Sequence, residues 1–168
     1  MKLKFDNNLH YQKQAIASVV DLFKGQTPKQ ANFTVSSNSS QLSLFGTENN
    51  GVGNYLELIE DEILENLQEI QLRNGIGQTS VLRKNQYDFD IEMETGTGKT
   101  YTYIKTMYEL NKAYGWSKFI VIVPSIAIRE GVLKSFQITE EHFQELYKKK
   151  IRYFVYNSNN SSNIANIN

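Results

Sequence analysis

The stretch Met93-Glu94-Thr95-Gly96-Thr97-Gly98-Lys99-Thr100 constrains this chain more than any other. Residues 87–93 before it alternate polar and apolar side chains, the period of a half-buried strand. Residues 99–114 after it carry the pattern of a helix. A strand, a glycine-rich turn and a helix opening on Lys-Thr form the setting that a phosphate-binding P-loop requires. Gly96 and Gly98 lack a Cβ, so the backbone can turn tightly and aim its N–H groups inward at an anion. The helix N-terminus adds unpaired donors and the positive end of its dipole. Thr95, Gly96, Thr97 and Gly98 would form the cradle. Lys99 would reach the β- and γ-phosphates of a nucleotide, and Thr100 would place its hydroxyl on Mg²⁺.

The general pattern G-x-x-x-x-G-K-[ST] asks for glycine five positions before Gly98, where this chain has Met93. That departure, and the absence of an arginine-rich lid, disfavour a small P-loop kinase. It leaves residues 96–100, which the phosphate needs most, intact. The bland alternative is a chance Gly-Thr-Gly-Lys-Thr in a surface turn, and the flanking strand and helix patterns speak against it.

With 168 residues, 40% of them hydrophobic, the chain can bury one core but not two large ones. Its 18 basic and 18 acidic side chains cancel, so any nucleic-acid contact must be local. No cysteine is present, which excludes disulfides and thiolate metal sites. The two histidines, His10 and His142, do not share a metal-ligand spacing. The start is polar by Asn7-Asn8, without an export signal, and no stretch approaches the ~20 apolar residues that span a bilayer. A cytoplasmic location, without membrane contact, is expected.

Along the chain, a short strand at residues 3–5 precedes a helix that Asn8 would cap and Gly25 would end. Residues 26–54, rich in Ser, Asn and Gly, read as a long loop insertion with one short strand or hairpin near 32–35 and 41–45. Residues 55–74 show apolar side chains at three- and four-residue steps, with glutamates filling the other face. Asn54 would cap this helix, and its acidic run reads as a solvated face rather than a metal site. A polar connector covers residues 75–86. Lys118-Phe119-Ile120-Val121-Ile122-Val123 is a β-branched run of the kind buried on both faces of a parallel sheet. Residues 126–136 and 139–150 read as two helices, 151–156 as another strand. Residues 157–168, mostly Asn and Ser, read as a disordered tail. The order of elements predicts an α/β fold with a parallel sheet flanked by helices, the domain occupying residues 1–156. So few strands suggest the front part of a P-loop domain, with an exposed sheet edge that invites aggregation.

Three segments carry a family resemblance: Leu9-His10-Tyr11-Gln12-Lys13-Gln14-Ala15-Ile16 with residues 20–26; residues 91–101 around the P-loop; and residues 114–132, including Pro124-Ser125-Ile126-Ala127-Ile128-Arg129-Glu130-Gly131. Together they resemble the N-terminal part of the Res subunit of type III restriction–modification enzymes. The form Met-Glu-Thr-Gly-Thr-Gly-Lys-Thr, with Met in place of the first glycine, is typical of that family. The resemblance implies part of a RecA-like domain of a superfamily 2 helicase-like ATPase motor, which the family follows with a nuclease domain. It further implies ATP and Mg²⁺ as cofactors. Duplex DNA and a methyltransferase (Mod) subunit would be the partners, with ATP-dependent DNA cleavage by the whole enzyme.

Carried over residue by residue, Gln12 matches the glutamine that reads the adenine edge, for which an amide offers both donor and acceptor. Read alone, it is a surface helix glutamine. Phe5 or Tyr11 could stack on adenine or pack in the core. Lys99 matches the catalytic phosphate lysine and Thr100 the magnesium hydroxyl. Ser125 and Arg129 match the motif that touches the nucleic-acid backbone, against a helix N-cap and a surface charge as the plain readings. Lys148-Lys149-Lys150 reads as a solvated helix end before it reads as a DNA contact.

The acidic pair that such a motor uses, Asp for Mg²⁺ and Glu for water, is not found after Val123, and Asp61-Glu62 lies inside an amphipathic helix. Nor does the sequence show a second motor domain with its arginine finger, or a nuclease site. The chain therefore reads as an ATP-binding piece of the motor with negligible hydrolysis of its own. Two alternatives stay open: the ATP-binding piece of another superfamily 2 DNA helicase, and a non-catalytic truncated remnant.

Overall fold

A computed structural model describes residues 5–28, 54–82 and 87–156. Four helices are present among them: α1 (His10–Asp21), α2 (Glu60–Arg73), α3 (Lys99–Tyr114) and α4 (Ile126–Tyr147). Helix α3 is the central one and packs against both α1 and α4. Its position follows from its sequence, which buries Tyr101, Ile104, Tyr108, Leu110 and Tyr114.

The expected parallel sheet is not there. The described residues contain helices and irregular backbone but no strand. Residues 118–123, read as a strand buried on both faces, leave Ile120 and Ile122 82% and 90% exposed. Residues 87–93 and 151–156 likewise form no ladder. The reason is physical. A helix satisfies its backbone from within, whereas a strand needs a partner at the right distance. β-Branched composition supplies the propensity but not the partner. The expected strand at 3–5 (apart from Phe5), the pieces at 32–35 and 41–45, and the tail at 157–168 lie outside the described residues, as does most of the 26–54 loop.

Helix α1 forms with an apolar face but without the expected cap. Leu9 is its N-cap, and the Asn8 N–H instead donates to Asp6 Oδ1 at 2.8 Å. Its end is built by α2. Buried Asn66 donates from Nδ2 to the carbonyls of Leu22 (3.1 Å) and Lys24 (2.9 Å), satisfying acceptors that a helix end leaves orphaned. Gly25, at φ +99°, turns the chain away. Gln26 is buried, and its Oε1 accepts the Glu57 N–H at 2.8 Å, which docks the start of the loop onto the entry to α2.

Helix α2 starts later than expected. Asn54 does not cap it; its Oδ1 accepts the N–H groups of Ser117 and Lys118, and its Nδ2 donates to the Lys118 carbonyl. The cap is local: Glu62 accepts the Ile59 N–H at 2.9 Å. The acidic face is solvated, as its pattern implied. Glu69 pairs with Lys24, Asp21 on α1 pairs with Arg73, and no group of acidic or histidine side chains among the described residues could hold a metal. The connector folds back on α2, where Gln71 bonds both the N–H and the hydroxyl of Thr79.

Helix α4 is continuous where two helices were expected. Thr139 lies where the second was to begin. Instead its hydroxyl donates to the Ser135 carbonyl one turn earlier, at 2.7 Å, so the helix runs through. It ends at Lys148, whose φ of +55° makes it the one described non-glycine residue in the left-handed region. The lysines beyond it are held by the protein: Lys149 by Asn111 Oδ1 at 2.7 Å and Lys150 by Glu140.

Among the described residues, two clusters form the core. One joins Leu22, Leu58, Ile63 and Ile70, with Phe89 against them. The other joins Tyr101, Ile104, Tyr108 and Phe143, with Phe5 and Tyr147 against them. The second is largely aromatic. The Tyr108 and Tyr147 rings stack at 4.8 Å, and Tyr147 donates to Glu109 at 2.6 Å. The Tyr101 hydroxyl lies 2.9 Å from His142 Nε2. Burial lowers the His142 pKa from its usual 6.5, nearby Lys105 lowers it further, and Glu145 opposes the shift.

Three outcomes follow for stability. Ile104 is 1% exposed, so Ile104→Ala should cost about 2–5 kcal/mol in urea unfolding. Lys148→Gly should stabilise by about 1 kcal/mol by relieving the left-handed backbone, while Lys148→Val should destabilise. The folded state favours neutral His142, so its contribution is complete above pH 6.5 and declines as pH falls from 6.5 towards the lower folded pKa. Unfolding curves between pH 7.5 and 5, taken at roughly half-unit steps, should therefore show a drop that is smaller in His142→Gln.

Candidate phosphate-binding loop

The loop at residues 94–98 joins irregular backbone to α3. Thr97 closes it: its N–H reaches the Glu94 carbonyl at 3.4 Å and its hydroxyl donates to the same oxygen at 2.6 Å. Gly96 and Gly98 both have positive φ, +85° and +82°. A side chain at either would be strained. At Gly98 the space is also taken, because a Cβ there would lie 2.8 Å from Gln12 Nε2.

That close approach is the main feature of the site. Gln12 on α1 is 6% exposed and donates from Nε2 to the Thr97 carbonyl at 2.8 Å. The amide of a residue 85 positions away thus holds the loop from beneath. The sequence expectation of a surface-facing or adenine-facing glutamine did not anticipate this bond. No local pattern could reveal it, because it depends on how α1 lies across α3.

Helix α3 begins without a side-chain cap. The N–H groups of Lys99, Thr100 and Tyr101 find no acceptor among the described residues. Helix α4 differs: Ser125 Oγ accepts the Ile128 N–H at 3.3 Å. Uncapped donors at a helix N-terminus beside an exposed glycine turn are suited to an anion. The Lys99 ammonium folds back over the loop and donates to the carbonyls of Met93 (2.8 Å) and Glu94 (2.9 Å). It therefore sits at the mouth of the cradle. Thr100 follows it in the first turn and is half-buried.

Thr95, Gly96, Thr97, Gly98, Lys99, Thr100 and Gln12 are thus brought together. Tyr11 borders the broad cleft of ≈ 1550 Å³ that Thr95, Gly96 and Thr97 also line. Phe5 lies elsewhere, stacked on Tyr101 at 5.8 Å. Ser125 and Arg129 sit at the start of α4. Ser125 is its N-cap, and Arg129 pairs with neighbouring Glu130 at 2.9 Å, the plain reading of each.

A family model described as type III restriction enzyme, res subunit, matches residues 7–167. The EcoPI Res subunit of Escherichia phage P1 is 38% identical over 162 residues, which is 92% of this chain and 15% of that protein. The EcoP15I Res subunit of Escherichia coli is 36% identical over 157 residues, again 15% of its length. A shorter match of 73 residues, 44% identical, is to the StyLTI Res subunit of Salmonella typhimurium. The chain thus spans about a seventh of the first two relatives. No described helix is long and apolar enough to cross a membrane. With most of its length matched, the chain belongs to the family of type III restriction enzyme Res subunits.

Proposed function

We propose that this chain is the ATP-binding part of the helicase-like motor of a type III restriction Res subunit. The observation that carries this reading is the uncapped start of α3 behind a left-handed Gly96–Gly98 turn, with Lys99 folded over its mouth. A polyphosphate would take the Lys99 ammonium from the carbonyls of Met93 and Glu94 and receive the free N–H groups of the first helical turn. The Thr100 hydroxyl would help hold Mg²⁺, which would neutralise phosphate charge when bound. The empty space around Gly96 fits a cradle, since a Cβ there would meet nothing within 4 Å.

Gln12 has two amide hydrogens and a carbonyl oxygen. One hydrogen holds Thr97, which leaves a donor and an acceptor for an adenine edge. In this reading Gln12 sets the loop and reads the base with the same side chain. Hydrolysis by this chain alone would be negligible, because the sequence holds no Asp-Glu pair after Val123 to bind the metal and activate water. Translocation on duplex DNA, cleavage and association with a methyltransferase subunit belong, in this proposal, to the full-length subunit. There Ser125 and Arg129 would contact the DNA backbone without reading sequence. The domain would occupy residues 1–156, and the cytoplasm would be its compartment.

Calorimetry of the folded chain with MgATP tests the proposal. Wild type should bind, and Lys99→Ala should lose at least about tenfold in affinity, near 1.4 kcal/mol. Gln12→Ala should weaken ATP more than GTP. Gly98→Ala should abolish binding through both the backbone strain and the clash with Gln12. Adding Gln12→Ala to it should remove the clash but not restore affinity, because the positive φ remains. A folded wild-type chain that binds no ATP would overturn the reading and leave the remnant alternative.

A further inference from the structure

The residue after the proposed magnesium threonine is tied to the far end of another helix. Tyr101 follows Lys99 and Thr100 in the first turn of α3, and its hydroxyl meets His142 Nε2 at 2.9 Å. Its ring packs on Phe143 at 5.0 Å, and the Phe5 ring covers both Tyr101 (5.8 Å) and His142 (5.2 Å). His142 belongs to α4, the helix that begins at the Ser125 cap. Because Thr139 continues this helix rather than restarting it, one rigid rod joins His142 to Ser125 and Arg129. At 1.5 Å per residue, the rod carries a displacement over about 25 Å.

We propose that the Tyr101–His142 hydrogen bond is a nucleotide-sensitive link, through which phosphate binding at Lys99 and Thr100 is felt along α4. The inference rests on the nucleotide reading above. Its physical basis is the position of Lys99. The ammonium now bonds two loop carbonyls, and a phosphate must draw it away from them. Lys99, Thr100 and Tyr101 share one helical turn, so a phosphate received by the uncapped N–H groups of that turn acts on the backbone that carries the Tyr101 ring. The ring cannot slide freely, because Phe5 and Phe143 pack against it. A hydrogen bond is steep in distance and angle, so a small ring movement makes or breaks it. The charged and titratable groups facing the link are Lys105, which bonds the Asn7 carbonyl beneath Tyr101, together with Asp6 and Glu145. Tyr101 and His142 are positioning residues in this scheme; their side chains do not touch the nucleotide.

The chain has two histidines, so ring nitrogen resonances can be assigned with a single His10→Gln variant. The experiment is an NMR titration of histidine in the full chain, with and without saturating MgATP, alongside the amide shifts of residues 125–129. MgATP should move the His142 midpoint by about 0.3 pH unit or more, a twofold change in proton affinity, and should shift the 125–129 amides. In Tyr101→Phe, measured at a MgATP concentration that saturates the variant, both effects should vanish. A His142 midpoint unmoved by MgATP that calorimetry shows to be bound would overturn the link and leave the nucleotide site standing. Unperturbed 125–129 amides in the same sample would overturn transmission along α4. A chain that binds no MgATP would overturn the nucleotide reading and the link together. The wild-type titration decides even if Tyr101→Phe fails to fold.

Discussion

The bond from the Gln12 amide to the Thr97 carbonyl fixes the relation of the first helix to the glycine loop. It requires the backbone at position 98 to pass under the amide with no room for a Cβ. It also requires that backbone to turn through a left-handed conformation. Glycine answers both demands, and no other residue does. At the other end of α3, Tyr114 donates its hydroxyl to the Val20 carbonyl at 2.8 Å. Helices α1 and α3 are therefore pinned at the loop and again near their ends. The apolar side chains between them need only fill the space. Polar bonds set the register, and burial supplies the stabilisation.

The two helices on either side of residues 115–125 begin in opposite ways, and the difference is chemical. Helix α4 has one of its orphan donors, the Ile128 N–H, answered by Ser125. Helix α3 leaves them unanswered and places a lysine beside them. Free donors and a neighbouring ammonium raise the local positive potential, which would favour an anion there. The Lys99 bonds to Met93 and Glu94 offset part of that cost and hold the loop in shape. Ser125, by contrast, already spends its acceptor on its own helix. Any DNA contact there would draw on its hydroxyl hydrogen or on Arg129 after release from Glu130.

What was legible in the sequence was what is local. Helix α3 runs over residues 99–114, as its pattern gives, because its turn and its Gly115 end, at φ +75°, lie in the chain itself. The acidic face of α2 is solvated for the same reason. The misread features are those with a distant partner. Asn54 looked like a helix cap and instead bonds residues 117 and 118. Residues 118–123 have the composition of a sheet core and form no strand ladder among the described residues. Composition predicts what a segment would accept as a neighbour, and tertiary structure decides whether the neighbour is there.

The exposed run at Ile120 and Ile122 bears on the loop by contrast. Burying an isoleucine stabilises by about 1.5–3 kcal/mol, and neither residue gains that here. The glycine loop does not depend on it. Its shape comes from Thr97 against Glu94, from Lys99 against Met93 and Glu94, and from Gln12 beneath. These are bonds of the loop to itself, bonds from Lys99 at the start of α3 to residues 93 and 94, and one bond from α1. Among the described residues the cradle is therefore held by α1, by the first residue of α3 and by its own turn chemistry, rather than by a sheet behind it. In such a site the strength of phosphate binding should follow the integrity of the α1–α3 packing, and the apolar run at 118–123 should matter to solubility more than to the nucleotide.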